Sequence, residues 1–429
     1  MMRPQMKFKT YQVVFLIALS MFFLRISSCI EEDDGNDQKV TPRESFQKVI
    51  TELMTKWGIP GGAVACVNHE RLVLAEGYGY AEKEKALVST PESLFRIASL
   101  SKPITAVAGL KLYERGLLSL DEKAFEILKD LKPPQGATVD PRIYNITVRD
   151  LLQHSGGWDR DRSFDPMFKS LEIAKKMGVR PPADAVTIIR YMLGQPLDFT
   201  PGARYSYSNF GYCVLGRIIE KVTGQDYEGF VKAQVLKPMR ISRMSIGHTL
   251  LKDRADKEVI YYDYPGAALT QSVFPDGGQM VPWPYGGFYL EAMDAHGGWI
   301  ASIVDLMRFL TAVDGRSTRP DFLQASTINL MVSRPALPDW QNSSWYYALG
   351  WQVRPQGSDA NWWHQGSLPG ISTILVRSYR GISWAALFNS RPQNADAFFN
   401  ELDDSLWKAV NQVTEWPTYD LFATYPILE

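Results

Sequence analysis

The first folded segment carries its apolar positions at helical spacing. From Ser45 to Trp57 apolar side chains recur every three or four residues, which places them on one stripe of a helix. The stripe consists of Phe46, Val49, Ile50, Leu53, Met54 and Trp57. Thr41 and Pro42 precede it, as a cap and a first-turn proline typically do. The pattern predicts an amphipathic helix.

β-rich apolar runs follow this helix and return near the end of the chain. Two runs joined by a polar turn predict a hairpin, at 61–67 and 72–80. Three later runs predict strands, at 345–353, 371–376 and 383–389, while 305–313 and 400–410 have helical spacing. We therefore expect one sheet built from both ends of the chain, with a terminal helix over its faces.

The middle of the chain has a different pattern. From about residue 124 to 264, helical segments are broken by loops rich in Pro and Gly. Residues 266–287 are rich in Gly, Pro and aromatic residues without a period, which predicts a long loop near the mouth of a cleft. We predict an α+β fold with residues 42–123 and 290–429 as the sheet domain, and 124–289 as a helical domain with this cleft loop.

The N-terminal residues 1–28 have the pattern of a signal peptide. Basic residues precede an apolar run of 12 residues, Val13–Leu24, which is shorter than the roughly 20 that span a bilayer. Small residues before Cys29 resemble the lipobox of bacterial lipoproteins; the alternative is an ordinary cleavage site with a leftover cysteine. Residues 29–41 then predict a flexible acidic tether. We expect an exported lipoprotein, periplasmic or on the cell surface, held at the membrane by a lipid on Cys29.

Composition narrows the classes of function. The chain has 429 residues, 45% hydrophobic and 22% charged, with a net charge of −1, which is ordinary for a globular protein and gives no sign of a nucleic-acid partner. Five histidines without metal-ligand spacing predict no metal site, and no cofactor motif is present. The spacing of Cys66 and Cys213 leaves open whether they form a disulfide.

Candidate chemistry begins at Ser99 and Lys102, which open an apolar helix-like run. Residues three apart share a helix face, so the hydroxyl and the amine would lie one turn apart. A lysine can take a proton from serine where burial or a second cation lowers its pKa. The alternative is an N-cap serine with a solvated lysine.

Two more segments carry possible partners. Tyr207 and Asn209 lie on a loop entering a helix, where a phenol near an ammonium would lose its proton more easily and could shuttle it. The alternative is a packed aromatic loop with an Asn N-cap. Gly366 precedes a strand and permits a close backbone approach, so that the amide just beyond it, of Ser367, could pair with that of Ser99 to bind an oxyanion. The alternative there is a strand-edge turn with a structural His364.

These three segments in this order resemble the serine β-lactamase and penicillin-binding-protein-like superfamily, on the class C side. The resemblance runs from about residue 44 to 392 and includes 146–157 and 297–302. It implies a β-lactamase/transpeptidase-like fold, an antiparallel sheet flanked by terminal helices with an all-helical insertion. Small molecules or peptides are the implied substrates.

The resemblance also implies a role for each motif residue. Ser99 corresponds to the nucleophile, Lys102 to its proton partner and Tyr207 to the acid/base. Asn209 would line the cleft. The strand wall of the cleft would be His364, Gln365 and Gly366.

One departure from the family pattern bears on the substrate. True β-lactamases carry Lys-Thr-Gly where this chain has His364-Gln365-Gly366, and a histidine is mostly neutral at pH 7. The His-x-Gly form resembles esterases and D-amino-acid peptidases, so an ester, amide or D-amino-acid peptide is expected. The alternatives are a β-lactamase or D,D-carboxypeptidase, and a non-catalytic binding protein of the same fold.

A second set of carboxylates permits another interpretation. Asp159, Asp161 and Asp165 could form a pair for glycoside chemistry. The arginines between them instead favour a solvated charged loop.

Overall fold

The computed structural model describes residues 39–275 and 278–425, so the predicted signal peptide and Cys29 lie outside the described residues. The helices are α1 (Pro42–Trp57), α2 (Ser101–Glu114), α3 (Ala124–Ile127), α4 (Val148–Leu152), α5 (Ser170–Met177), α6 (Ala185–Leu193), α7 (Asn209–Thr223), α8 (Tyr227–Val231), α9 (Ile303–Thr311), α10 (Ala325–Met331) and α11 (Ala395–Gln412). The strands are β1 (Gly61–Asn68), β2 (Arg71–Glu82), β3 (Leu87–Val88), β4 (Phe95–Arg96), β5 (Ser245–Ile246), β6 (Thr270–Gln271), β7 (Met280–Val281), β8 (Trp299–Ala301), β9 (Tyr346–Tyr347), β10 (Gln352–Gln356), β11 (Asp359–Leu368), β12 (Ile371–Arg377) and β13 (Ile382–Phe388).

The main sheet joins the two ends of the chain. Its eight strands run antiparallel in the order β3-β2-β1-β13-β12-β11-β10-β9. The first long strand therefore pairs with the last, Gly62 opposite Phe388 and Asn68 opposite Ile382. The predicted α+β fold with an antiparallel sheet is confirmed.

Alternation along β1 divides the core into two layers. Val64 and Cys66 pack with α1 and α11, whereas Ala63 and Ala65 face the layer that contains α2 and α9. Helices therefore cover both faces of the sheet.

Helix α1 begins with a capping box. The Thr41 side chain accepts a hydrogen bond from the Glu44 amide, and the Glu44 carboxylate accepts one from the Thr41 amide.

Between α2 and β8 the chain forms the helices α3 to α8, of which α7 with 15 residues is the longest, and little sheet. The loop predicted at 266–287 contains a short antiparallel ribbon, β6 with β7.

The prediction of a single strand at 345–353 is wrong. Gly350 has φ of +91° and turns the chain between β9 and β10, which pair with each other. A Cβ at Gly350 would lie 2.5 Å from that of Ala106, so close packing on α2 requires this glycine.

The two described cysteines do not form a disulfide. Cys66 on β1 and Cys213 on α7 are both buried and free. Within residues 39–275 and 278–425, no three His, Cys, Asp or Glu side chains are grouped to hold a metal ion. No helix of these ranges is both long and apolar enough to cross a bilayer.

A buried arginine on β4 ties the start of the nucleophile segment to distant loops. The Arg96 guanidinium donates to the carbonyl oxygens of Pro284 at 2.8 Å and His248 at 2.7 Å, and lies 3.5 Å from the Glu258 carboxylate. The ring of Tyr261 stacks on it, 4.4 Å from guanidinium carbon to ring centroid. Arg96 therefore fixes β4 against the loop that ends near residue 287.

We expect Arg96→Ala to lower the free energy of unfolding by about 3–5 kcal/mol, because it leaves Glu258 and two carbonyls buried without their cation. Arg43→Ala is the matched control: its pair with Glu76 is exposed, and such pairs contribute less than about 1 kcal/mol. Urea unfolding of the full chain measures both. Equal losses for the two variants would contradict the assignment.

Candidate active site

Ser99 lies on a strained turn between β4 and α2. It is the middle residue of a single 3-10 turn, Ala98–Leu100, and is half-buried between two buried neighbours. Ala98 has φ of +49°, a left-handed conformation that costs a non-glycine residue about 1–3 kcal/mol. The N-cap interpretation of Ser99 is wrong, since Leu100 occupies the N-cap position of α2 without a side-chain bond. Ser99 is thus held for something other than capping.

Lys102 is fully buried, which also excludes the solvated lysine of that interpretation. Its Nζ lies 3.0 Å from Ser99 Oγ, 2.8 Å from Asn209 Oδ1 and 3.0 Å from the carbonyl oxygen of His296. The last two atoms can only accept hydrogen bonds. As an ammonium Lys102 can donate to all three oxygens; when neutral, it can donate its two protons to Asn209 and His296 and turn its lone pair toward the Ser99 hydroxyl.

The electrostatics favour that neutral amine. Burial lowers the pKa of Lys102 well below its usual value of 10.5, although the carboxylate of Asp165 opposes the shift. The Arg160 guanidinium lowers it further. The surroundings of Lys102 thus favour its deprotonated form, which is the form that can accept a proton.

Tyr207 meets the same pair from the loop before α7. Lys102 Nζ lies 4.7 Å from the centroid of the Tyr207 ring, and the Ser99 hydroxyl is near enough to act against a rise in the pKa of the phenol. The expectation of a phenol that loses its proton easily is wrong: burial raises the pKa of Tyr207 despite Ser99 and Arg160. Tyr207 is a protonated phenol that can donate.

His154 fixes the backbone on both sides of Tyr207. It was not among the site residues predicted from the sequence. Its carbonyl accepts from the Ser206 amide at 2.8 Å, and its Nδ1 accepts from the Ser208 amide at 3.1 Å. The His154 ring lies 4.4 Å from that of Tyr207, centroid to centroid. Its place in the family-like segment 146–157 was the signal that could have identified it.

Asn209 supports the lysine rather than forming an open wall. Ser208, not Asn209, caps α7, by accepting from the Gly211 amide. The buried Asn209 amide accepts from Lys102 and donates to the Asp165 carboxylate at 2.6 Å. Asp165 is therefore not part of a solvated loop: its carboxylate faces the site, and burial raises its pKa.

The other two carboxylates of that loop do not join it. Asp161 is exposed, and Asp159 pairs with Arg204 at 2.6 Å. They form no carboxylate pair with Asp165 of the kind that glycoside hydrolysis requires.

The third segment forms strand β11 beside Ser99. At Gly366 a Cβ would lie 2.4 Å from the Ile97 carbonyl oxygen and 3.1 Å from the Ser99 amide nitrogen, so only glycine allows this approach. Thr373 on β12 donates to the same Ile97 oxygen at 3.0 Å. The exposed Ser367 follows next on the strand.

His364 and Gln365 face opposite sides of β11, since side chains alternate along a strand. His364 is buried, its Nε2 is 3.0 Å from the Tyr347 hydroxyl, and burial lowers its pKa to about 3. It is a neutral group in the wall. The Gln365 side chain lines a pocket of about 400 Å³ against α11 instead, with Phe399 and Trp407. Its predicted place in the cleft wall is wrong.

A distant segment supplies the third partner of Lys102. The His296 carbonyl is held because Arg217 of α7 binds Asp294 at 2.5 Å and Thr105 of α2 donates to the Ala295 oxygen at 2.6 Å. The sequence showed no motif here, because the contact is to a backbone atom.

The sequence of this chain is similar to those of known proteins. The profile of the beta-lactamase family matches residues 46–404. Protein flp of Staphylococcus aureus (strain N315) is 27% identical over 54% of this chain, which spans only 43% of that protein. Penicillin-binding protein 4* of Bacillus subtilis (strain 168) is 27% identical over 79% of this chain and 70% of its own length.

A solved structure agrees in fold. That of D-amino acid amidase from Ochrobactrum anthropi SV3, complexed with L-phenylalanine amide, matches with a TM-score of 0.65 at 22% identity, covering 86% of this chain and 99% of that one. This similarity establishes the fold alone. Because the family profile covers most of its length, the chain belongs to the beta-lactamase family, whose fold carries serine hydrolases.

Proposed function

We propose that this protein is a serine hydrolase that forms an acyl-enzyme on Ser99, with an ester, an amide or a D-amino-acid peptide as substrate. The observation that carries the proposal is the 3.0 Å contact of Ser99 Oγ with a buried amine whose two other partners are oxygen acceptors. Such an amine is a base aimed at one hydroxyl.

In the first step Ser99 Oγ forms a bond to the substrate carbonyl carbon. Its proton passes to the lone pair of Lys102 Nζ, and the carbonyl electron pair moves to oxygen. We assign the base to Lys102 rather than Tyr207 because burial shifts the two pKa values in opposite directions, favouring a neutral amine and a protonated phenol.

The oxyanion then needs donors. We assign the backbone amides of Ser99 and Ser367, since Gly366 brings β11 against the Ser99 amide. One such donor is worth about 3 kcal/mol of barrier. As the intermediate collapses, the bond to the leaving group breaks and Tyr207 gives it a proton, which Lys102 replaces. Water repeats the sequence on the acyl-enzyme and restores Ser99.

The substrate class follows from the wall of the site. His364 stands where β-lactamases have a lysine, and its low pKa leaves that wall without a cation. This favours esters and amides over β-lactams, and D-amino acid amidase is among the proteins of similar fold. Because one relative is a penicillin-binding protein, a β-lactamase or D,D-carboxypeptidase remains the alternative.

Ser99→Ala should abolish turnover and fluorophosphonate labelling without changing the thermal midpoint, because it removes only the nucleophilic oxygen. A screen of short-chain esters, D-amino-acid amides and a chromogenic cephalosporin measures turnover, with Ser333→Ala, an exposed serine, as matched control. Labelling of the Ser99→Ala protein would refute the nucleophile. An unlabelled native protein would instead indicate a binding protein of this fold.

The rate of fluorophosphonate labelling should rise with pH through the pKa of Lys102, because only the neutral amine accepts the serine proton. Burial places this acidic limb well below 10.5. His364→Gln is the control and should keep the limb, since His364 titrates at about 3. A limb that stays near 10.5, or one lost in the His364→Gln protein, would contradict the proposal.

We further propose that the protein is exported and anchored by a lipid on Cys29, which belongs to residues outside those described. Basic, apolar and small residues in the order of a lipoprotein signal support this. Such an anchor would keep the hydrolase at a membrane surface.

Labelled palmitate fed to bacteria that express the full chain should enter the native protein but not Cys29→Ser, because the thiol is the acceptor. Cys66→Ser, which removes a buried thiol, is the control and should keep the label. Equal labelling of all three proteins, or none, would exclude the anchor at Cys29.

A further inference from the structure

Arg160 lies beside the candidate site, next to the ring of Tyr207. Its guanidinium carbon is 5.0 Å from the centroid of the Tyr207 ring, and its side chain is 44% exposed. It donates no hydrogen bond to any side chain or carbonyl of residues 39–275 and 278–425. Its one ionic contact in those ranges is Asp161, at 4.0 Å, and that side chain is 92% exposed. A guanidinium has five donors, so this one is available to a ligand.

The Asp165 carboxylate, which faces the site, forms no ion pair with Arg160. The Asp165 carboxylate is bound by the Asn209 side chain at 2.6 Å and by the Met167 amide at 3.1 Å. No ion pair joins it to Arg160 within 4.0 Å. The loop therefore keeps its carboxylate engaged and leaves its cation beside the Tyr207 ring, partly exposed to solvent.

On strand β11, His364 supplies no matching charge to the site. The position of a lysine in related enzymes is taken by His364, whose Nε2 accepts from the Tyr347 hydroxyl. Its Nδ1 donates a hydrogen bond to the carbonyl oxygen of Gln365 at 2.7 Å. Both ring nitrogens are thus engaged, and this wall offers no cation to a substrate.

We infer that Arg160 forms an anion subsite on the Tyr207 side of the cleft, and that the substrate carries a carboxylate on its leaving-group half. This rests on the proposed function, in which Tyr207 protonates the leaving group. A group next to the Tyr207 ring is then next to that half of the substrate. A planar guanidinium matches a carboxylate with two parallel hydrogen bonds.

The chemistry defines the class of substrate. The scissile bond is an ester or amide whose departing alcohol or amine bears a carboxylate near the broken bond, as does the C-terminal residue of a peptide. The exposure of Arg160 fits a leaving group that departs into solvent. The anion subsite thus lies on the loop between α4 and α5 instead of on β11.

The test uses two substrates that share an N-acetyl-D-alanyl group. In one the leaving group is D-lactate, and in the other it is D-lactamide, which has the same shape without the charge. The ratio of their kcat/KM values is measured for the full chain and for Arg160→Gln. Any general effect of Arg160 on Lys102 or Tyr207 alters both substrates and cancels in the ratio.

We expect Arg160→Gln to reduce the preference for the lactate ester about tenfold, the loss typical of one charge-assisted contact. Arg162→Gln removes the same charge from an exposed position on the same loop and should keep the preference. No preference in the native protein, an unchanged ratio in Arg160→Gln or an equal loss in Arg162→Gln would overturn the subsite.

A binding assay separates this inference from the proposed function. The Ser99→Ala protein, with and without Arg160→Gln, is titrated calorimetrically with the same two compounds. Tighter binding of the lactate ester that depends on Arg160 supports the subsite even where the native protein turns over neither compound, whereas the hydrolase itself is refuted only by the absence of fluorophosphonate labelling. Equal binding of both compounds by the Ser99→Ala protein would overturn the subsite.

Discussion

The burial of one amine is the constraint on which the site depends. Lys102 has no exposed surface, so its charge is costly, and the fold offers it neutral oxygen acceptors from Asn209 and His296. Two carbonyl-type acceptors match the two protons of a neutral amine, and the remaining direction points at Ser99. The same burial that destabilises the ammonium thus creates the base.

The rest of the structure holds these few atoms in place. Helix α2 carries Lys102, α7 carries Asn209, and Arg217 of α7 binds the segment that contributes the His296 carbonyl. His154 fixes Tyr207 through bonds to the amides on either side of it. Strain at Ala98 and the close approach at Gly366 show that packing of β11 against the turn Ala98–Leu100 determines the position of Ser99.

Charge is distributed unevenly around this neutral centre. His364 leaves the strand wall uncharged, and Asp165 is engaged by Asn209, while Arg160 lies beside the Tyr207 ring on the loop between α4 and α5. In such an arrangement strand β11 positions the substrate carbonyl, and the loop between α4 and α5 selects the leaving group. The family fold would then keep its chemistry while the source of substrate recognition moves to another element.

The sequence by itself determined the elements with a clear period and the residues in motifs. The stripe of α1, the β1–β2 hairpin and the pairing of Ser99 with Lys102 followed from local spacing. That Tyr207 meets this pair followed from the resemblance of the ordered motifs to a known family. Only the tertiary structure decided the state and partners of those groups. Burial, not sequence neighbours, sets the pKa values of Lys102 and Tyr207, and a backbone carbonyl such as that of His296 has no signature in a sequence. The face of Gln365 and the turn at Gly350 likewise depended on strand alternation and on packing against distant helices, α11 and α2, which no local pattern encodes.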